Sequence, residues 1–420
     1  VTHDRGVDLF AADRAVRDGS LLIGGCRLAD LAEQFGTPTI VVAEHSLRAR
    51  ARAYREELAA RWPNSRVVFA SKAFPATGIQ RVMVEEGLGL DVAGGGEILA
   101  ALKAGADPST LVLHGNAKTD DELRLAIEAR VGLVVLDNAD DVDRLESLLA
   151  PGTRQDVLIR VIPEVEADTH ASVLTGQRGS KFGLGPDAAL ALAHRVRGSS
   201  RLRLRGLHSH VGSQILDPQP FARAVEALAR LGEFEVYDLG GGLGSRYTYA
   251  DDPPSLPHFL DVLIDAVRAE LAAGSQIILE PGRSIVAETG CTLYRVTTIK
   301  PGEPSFIGVD GGMADNLEVA LYGQRFEAVL ADRVDEPATR RVSIVGRHCE
   351  SGDILVDGID LPEPRRGDVL AVPVTGAYCL TMSNTYNGAR RVPVVLVGEG
   401  RARLIVRRDS WHDLLARDVD

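Results

Sequence analysis

The stretch LGLDVAGGGEILAALKAGADPSTLVLH, residues 88–114, contains one full unit of the pattern that decides the fold. Leu88–Val92 is a short apolar run. Gly96–Ala104 is an Ala/Leu stretch with helical spacing, and Leu111–His114 is a second apolar run. Neither run alternates with polar residues, so each suits a strand buried on both faces, as in a parallel sheet covered by helices. Outward from this unit the rhythm repeats. Thr39–Val42 and Val67–Ala70 precede it; Leu133–Leu136, Val157–Ile162, Leu204–His210, Glu235–Leu239 and Gln276–Leu279 follow. Helical stretches such as Leu47–Arg61 and Pro220–Leu231 lie between them. Strand and helix alternating about eight times over residues 39–283 predict a (β/α)8 TIM-like barrel. A doubly wound open sheet is the rival topology.

Beyond Arg283 the texture changes. Val342–Val345, Asp368–Val374, Val392–Val397 and Ala402–Val406 read as strands separated by Gly or Pro, with almost no helical spacing until the last ten residues. Residues 284–420 are therefore expected to form a β-sandwich domain, with 1–38 an N-terminal arm joining it and 39–283 the barrel. The chain of 420 residues carries a net charge of −12 and four cysteines, none in a C-x-x-C pair. An acidic chain without a clustered basic face is a poor nucleic-acid binder. No apolar run is long enough to span a membrane, and the first thirty residues are charged throughout, so no secretory leader is expected there. A zinc site is not expected, and a reducing, cytoplasmic setting is.

Six groups of residues carry chemistry. Lys72, in Ala70-Ser71-Lys72-Ala73-Phe74, ends an apolar strand, where a barrel places its active site. It suits a Schiff base with an aldehyde cofactor, although a snorkelling surface lysine has the same sequence appearance. His208 and His210 stand two apart on a strand and share a side. They could stack on a ring or fill a polar core; without a nearby acid or cysteine, a metal is the weaker reading. Gly240, Gly241 and Gly242 follow a strand and let backbone N–H groups approach a phosphate, or simply make a tight turn. Glu280-Pro281-Gly282-Arg283 ends another strand. Glu280 could hold a protonated ring nitrogen and Arg283 could pair with a phosphate or carboxylate; a surface ion pair is the alternative. Cys349, in His348-Cys349-Glu350-Ser351-Gly352-Asp353, lies among polar groups and suits a proton donor or nucleophile. Tyr378, in Gly376-Ala377-Tyr378-Cys379, could bond a phosphate or fill a core. Taken together, these parts are what pyridoxal 5′-phosphate requires of an enzyme.

From about Gly36 to Val406 the chain resembles the diaminopimelate decarboxylases, within the alanine-racemase-fold pyridoxal-phosphate enzymes that include ornithine decarboxylase. The resemblance rests on A-S-K-A-F at Lys72, G-L-D-V-A-G-G-G-E ending at Glu97, and L-H-G-N-A-K over Leu113–Lys118. It continues through H-S-H-V-G-S-Q, D-L-G-G-G-L-G, E-P-G-R, D-G-G-M at Asp310–Met313, C-E-S-G-D and G-A-Y-C. It implies a barrel followed by a β-sandwich, and a homodimer with shared active sites. It implies Lys72 as the Schiff-base lysine and His210 stacked on the ring. Ser213, Gly240–Gly242, Glu280, Gly282, Arg283 and Tyr378 would hold the cofactor. Cys349 would be the proton donor reaching, with Glu350, into the partner's site. Glu350, Tyr322 and Tyr378 would read the distal end of the substrate, with Arg283 beside them. The implied reaction takes meso-diaminopimelate to L-lysine and CO2. Racemase activity is not expected, because those members use a tyrosine base where this chain offers Cys349.

One position departs from the pattern. After D-G-G-M the family reads N/S-D-x-x-R-P-A-L-Y, and the arginine helps bind the substrate's non-reacting carboxylate. Here the segment is Ala314-Asp315-Asn316-Leu317-Glu318-Val319-Ala320-Leu321-Tyr322, so Glu318 replaces that arginine. Losing such a pair costs about 1.5–3 kcal/mol before any repulsion. A paralogue acting on an amino acid with a cationic or neutral distal group is thus the alternative, unless Arg325 or Arg347 takes over. A non-catalytic regulatory homologue is a remote third, against which the retained Lys72, His210, Glu280 and Cys349 argue.

Overall fold

The computed structural model describes residues 6–165 and 180–419. The chain divides into two compact units. One consists of Arg50–Gly244 and Pro253–Ser284; the other collects the chain up to Ala49, Ser245–Asp252, and the chain from Ile285 onward.

The first unit is a closed barrel of eight parallel strands: β1 Ser65–Ala70, β2 Gly89–Val92, β3 Leu111–Leu113, β4 Leu133–Leu136, β5 Gln155–Arg160, β6 Leu202–His208, β7 Val236–Asp238 and β8 Gln276–Leu279. Each pairs with its sequence neighbours, and β8 closes on β1 with Ile278 opposite Arg66. Val68, Val112, Leu133, Val135, Leu158, Val236 and Ile278 form one apolar cluster inside it. Side chains alternate along a strand, so two residues further on the chain faces the same interior. Those positions are Ala70, His114, Asp137, Arg160, Asp238 and Glu280. The interior is therefore apolar at mid-height and ionisable at the strands' C-terminal ends. Gly206 of β6 fits this packing because a Cβ there would lie 1.7 Å from the Val236 carbonyl.

The second unit is mainly sheet. Gly290–Lys300 is its longest strand, eleven residues. Its first half pairs with Val369–Pro373 and Thr39–Ala43, its second half with Phe306–Val309. Arg340–Val345, Ile354–Leu361, Val394–Gly398, Arg401–Val406 and the short Val329–Leu330 complete a nine-stranded sheet. Thr39–Val42 was expected among the barrel strands and is not one. Thr39–Ala43 pairs with Gly290–Leu293 and runs parallel to Val394–Val397. All five of its residues are buried, and a short continuous apolar run looks the same in the middle of either kind of sheet. Ahead of it, Arg14–Arg17, Ser20–Ile23 and Cys26–Arg27 form a small antiparallel sheet. Val7, Phe10, Leu21, Ile23, Leu28 and Leu31 share a core with Val41, Leu293 and Val395. No helix among the described residues is long and apolar enough to cross a membrane.

Candidate active site

The C-terminal end of the barrel gathers most of the residues singled out in its sequence. Lys72 lies on the 3-10 turn Ser71–Ala73 directly after β1, with its side chain exposed. The Ala70 N–H donates to the Pro281 carbonyl, 3.1 Å away. This brings the Glu280–Arg283 segment against the lysine turn. Gly282 permits the approach: a Cβ there would sit 3.0 Å from the Cβ atoms of Ala70 and Ala73.

Glu280, just past β8, is buried, and both its oxygens meet imidazoles. His114 Nε2 is 2.6 Å from Oε1, and His208 Nε2 is 3.3 Å from Oε2. Burial pushes the Glu280 carboxyl up, but the two histidines outweigh it and hold the group well below the usual carboxylate range. Burial draws His208 down to about 3, against the pull of Glu280, so its ring is neutral at physiological pH. His114, His208 and Glu280 offer three ligand atoms within 4.8 Å of one another. Two ligands of a tetrahedral zinc stand about 3.3 Å apart at ordinary bond lengths. A separation of 2.6 Å is instead a hydrogen bond carried by a proton.

The neighbouring acids behave differently. Asp91, 3.7 Å from His114 Nε2, is pushed up by burial. Asp238 is pushed well up by burial and by the charge of Glu280, while its Oδ1 accepts the Gly240 N–H. Arg160, buried at the end of β5, is drawn down by desolvation, countered by Asp137 and Glu280. Of Asp91, Asp238 and Glu280, Glu280 alone is shifted toward its ionised form.

The glycine run crosses the same floor. Gly240 has φ +67°, and a Cβ there would lie 2.5 Å from the Ser209 carbonyl; at Gly241 it would lie 2.1 Å from the Glu280 carbonyl. The Gly241 N–H donates to His210 Nδ1 at 3.2 Å. Burial, then the charge of Lys72, draws His210 well below its ordinary value. The two histidines that share one side of a strand therefore divide their work: His208 on Glu280, His210 at the glycine turn. Arg283 is buried, and its Nε donates to Ser213 Oγ at 3.3 Å. Lys118 fixes the loop after His114, donating to the Gly115 carbonyl at 2.7 Å and to Asp141 at 2.8 Å.

The other sequence-predicted residues belong to the sheet unit. Cys349 and Glu350 are exposed, and the Cys349 N–H donates to Asn387 Oδ1 at 2.9 Å. Cys26, Cys291 and Cys379 are buried, which leaves Cys349 as the accessible thiol of the four. Tyr378 is half-buried with φ +60°. Glu318 opens the short helix Glu318–Tyr322 and is only 1% exposed, its N–H donating to Asn316 Oδ1. Tyr322, at the end of that helix, is half-buried.

Residue reading alone did not assign roles to His114, Asp91, Asp238 or Arg160. Their signal is positional: each is a polar residue at or just past the end of an apolar barrel strand, in register with the interior.

Residues 44–287 match the family model described as pyridoxal-dependent decarboxylase, pyridoxal binding domain. The chain is 40% identical to the diaminopimelate decarboxylase of Bacillus subtilis, covering 98% of both chains. It is 44% identical to that of Actinosynnema pretiosum over 96% of this chain and 93% of the relative. The crystal structure of the M. jannaschii diaminopimelate decarboxylase in complex with L-lysine superposes with a TM-score of 0.89 at 29% identity, covering 97% of this chain and 98% of that one. With identity of this level over its whole length, and the barrel end built as described, the chain belongs to the pyridoxal-dependent decarboxylases, in the diaminopimelate decarboxylase family.

Proposed function

We propose that this chain decarboxylates meso-diaminopimelate to L-lysine at the C-terminal end of its barrel. The observation that carries this reading is Glu280, a buried carboxylate held ionised beside the Lys72 turn. The donor set fits pyridoxal phosphate. Lys72 offers an exposed amine for the aldehyde. Glu280 offers an anion for a protonated ring nitrogen. Gly240–Gly242 form a turn too tight for a Cβ at Gly240 or Gly241, beside Ser213 and Arg283, which suits a phosphate. When bound, the cofactor supplies an electron sink for the pair left behind as CO2 departs.

The chain's own residues supply the rest. Glu280 keeps the ring-nitrogen proton in place by staying ionised. His210, held by the Gly241 N–H, would pack on the cofactor's ring. Cys349 returns a proton to Cα after CO2 leaves, and it requires a reduced thiol, in keeping with a cytoplasmic setting. The working form is a homodimer in which Cys349 and Glu350 of one chain complete the site of the other. Tyr322, Tyr378 and Arg283 read the substrate's distal end.

A second reading has its own observation: Glu318 stands where the family carries arginine. It makes the chain a decarboxylase of an amino acid with a cationic or neutral distal group. CO2 release by the cofactor-loaded protein, with meso-diaminopimelate beside D-lysine, D-ornithine and D-arginine, separates the two. Rapid turnover of diaminopimelate supports the first reading. No turnover of it, with activity on a cationic substrate and a gain in diaminopimelate turnover for Glu318→Arg, supports the second.

A further inference from the structure

Glu280 has both oxygens engaged by protein groups from two other strands' ends. His114 follows β3 and His208 ends β6, and their rings meet edge to face with centroids 4.8 Å apart. Heavy-atom distances do not show which partner holds each proton. Burial and counting do. Two contacts need two protons, and a protonated Glu280 could supply only one. Among the described residues, His208 Nδ1 is buried with no hydrogen-bond partner. Had His208 accepted a proton from Glu280, its own N–H would sit on Nδ1, buried with no protein acceptor at a full desolvation cost. A bare lone pair there is cheaper. His208 is therefore protonated on Nε2 and donates to Glu280. Glu280 is held well below the usual carboxylate range, so it accepts from His114 as well, whose Nε2 lies 2.6 Å from Oε1 and a longer 3.7 Å from Asp91.

We propose that His114 and His208 are positioning residues, two imidazoles protonated on Nε2 that hold Glu280 as an oriented carboxylate for the cofactor's ring nitrogen. This rests on the cofactor reading given above. The choice of imidazole has a physical reason. A lysine or arginine would orient Glu280 equally well, but it would also cancel the charge that keeps the ring nitrogen protonated. A neutral donor orients the carboxylate without neutralising it. Among the other ionisable groups around Glu280, burial pushes Asp91 and Asp238 up from their ordinary values. His210 is neutral, and Arg160, Arg66 and Lys72 are the cations whose fields reach these groups.

Long-range 1H–15N spectra of the full, cofactor-free chain between pH 6 and pH 8 test the proton positions. His114→Gln and His208→Gln, each carrying an amide N–H where Nε2 was, assign the signals. Two rings protonated on Nε2 are expected, with His208 uncharged throughout. A ring protonated on Nδ1 alone, or a charged His208, overturns the proposal. Pyridoxal phosphate binding and steady-state kinetics test the consequence. His114→Leu should lose affinity for the cofactor and kcat by about tenfold or more, with substrate KM little changed, while His114→Gln stays within about threefold of the parent chain. Equal behaviour of the Leu and Gln variants, whether both impaired or both intact, overturns it. Lys72→Ala reports on the parent reading separately. If the visible band of the lysine-bound cofactor never forms, or survives in that variant, the cofactor reading fails, and the nitrogen spectra still decide how Glu280 is held.

Discussion

Replacing His208 with glutamine should remove an acid sensitivity that is built into the barrel. In the folded chain His208 is held neutral, its value drawn down to about 3. In the unfolded chain it takes up a proton near pH 6.5. Below that pH the unfolded state binds a proton that the folded state refuses, so stability falls as pH falls, until about pH 3. Between pH 7 and pH 5 the loss from this one group is about 2 kcal/mol, and it hardly changes if the folded value is a unit higher. The parent chain alone would not reveal it. Burial pushes Asp315, in the sheet unit, up to about 7. Its folded value lies above its unfolded one, so it adds stability over the same fall in pH and offsets the histidine. The informative quantity is the difference between chains. Urea unfolding of the cofactor-free parent and of His208→Gln, at both pH values and one protein concentration, should show the variant gaining about 2 kcal/mol on the parent at pH 5 relative to pH 7. The glutamine keeps a donor facing Glu280, so that carboxylate stays ionised in both chains. An unchanged difference between the two pH values would mean that His208 is not a buried neutral ring, and the account of Glu280 would fall with it.

Asp315→Asn should act in the opposite sense: the parent loses about 1 kcal/mol between pH 6 and pH 8 as Asp315 ionises, and the variant, whose amide oxygen can still accept the Gly312 N–H, does not, by the same urea assay. Gly241→Ala places a Cβ 2.1 Å from the Glu280 carbonyl, an overlap with backbone that no rotamer relieves. It should cost about 1–3 kcal/mol in thermal unfolding and weaken pyridoxal phosphate binding, because relief moves Glu280 away from the glycine turn. Cys349→Ala removes an exposed thiol and should leave stability within about 0.5 kcal/mol of the parent, with the cofactor's lysine-bound absorbance intact but turnover greatly slowed; unchanged turnover would remove Cys349 from the reaction.

The sequence made the barrel legible because burial on both faces leaves an unmistakable mark: continuous apolar runs of a few residues, spaced by helices. The same mark is ambiguous at its edges. Thr39–Ala43 carries it as clearly as any barrel strand, yet lies between Gly290–Lys300 and Val394–Gly398 in the other sheet. A buried strand's composition records that it is covered, and its partners are set by pairings hundreds of residues away. The site shows the same division. Lys72, the glycine run and Glu280-Pro281-Gly282-Arg283 stand out because lysine, repeated glycine and an acid before proline are unusual at strand ends. His114 and Asp91 are single polar letters at the ends of apolar runs, and nothing local distinguishes them from solvated strand termini. What distinguishes them is closure. Eight strands in register bring eight C-terminal ends onto one small circle, so a histidine from β3, a histidine from β6 and a glutamate from β8 come within hydrogen-bond reach of one another. Once a barrel is inferred, the position two residues past each inward-facing apolar residue is itself a prediction of the site. Applied to Val112, Leu158, Val236 and Ile278, that rule selects His114, Arg160, Asp238 and Glu280, the charged floor on which the proposed chemistry depends.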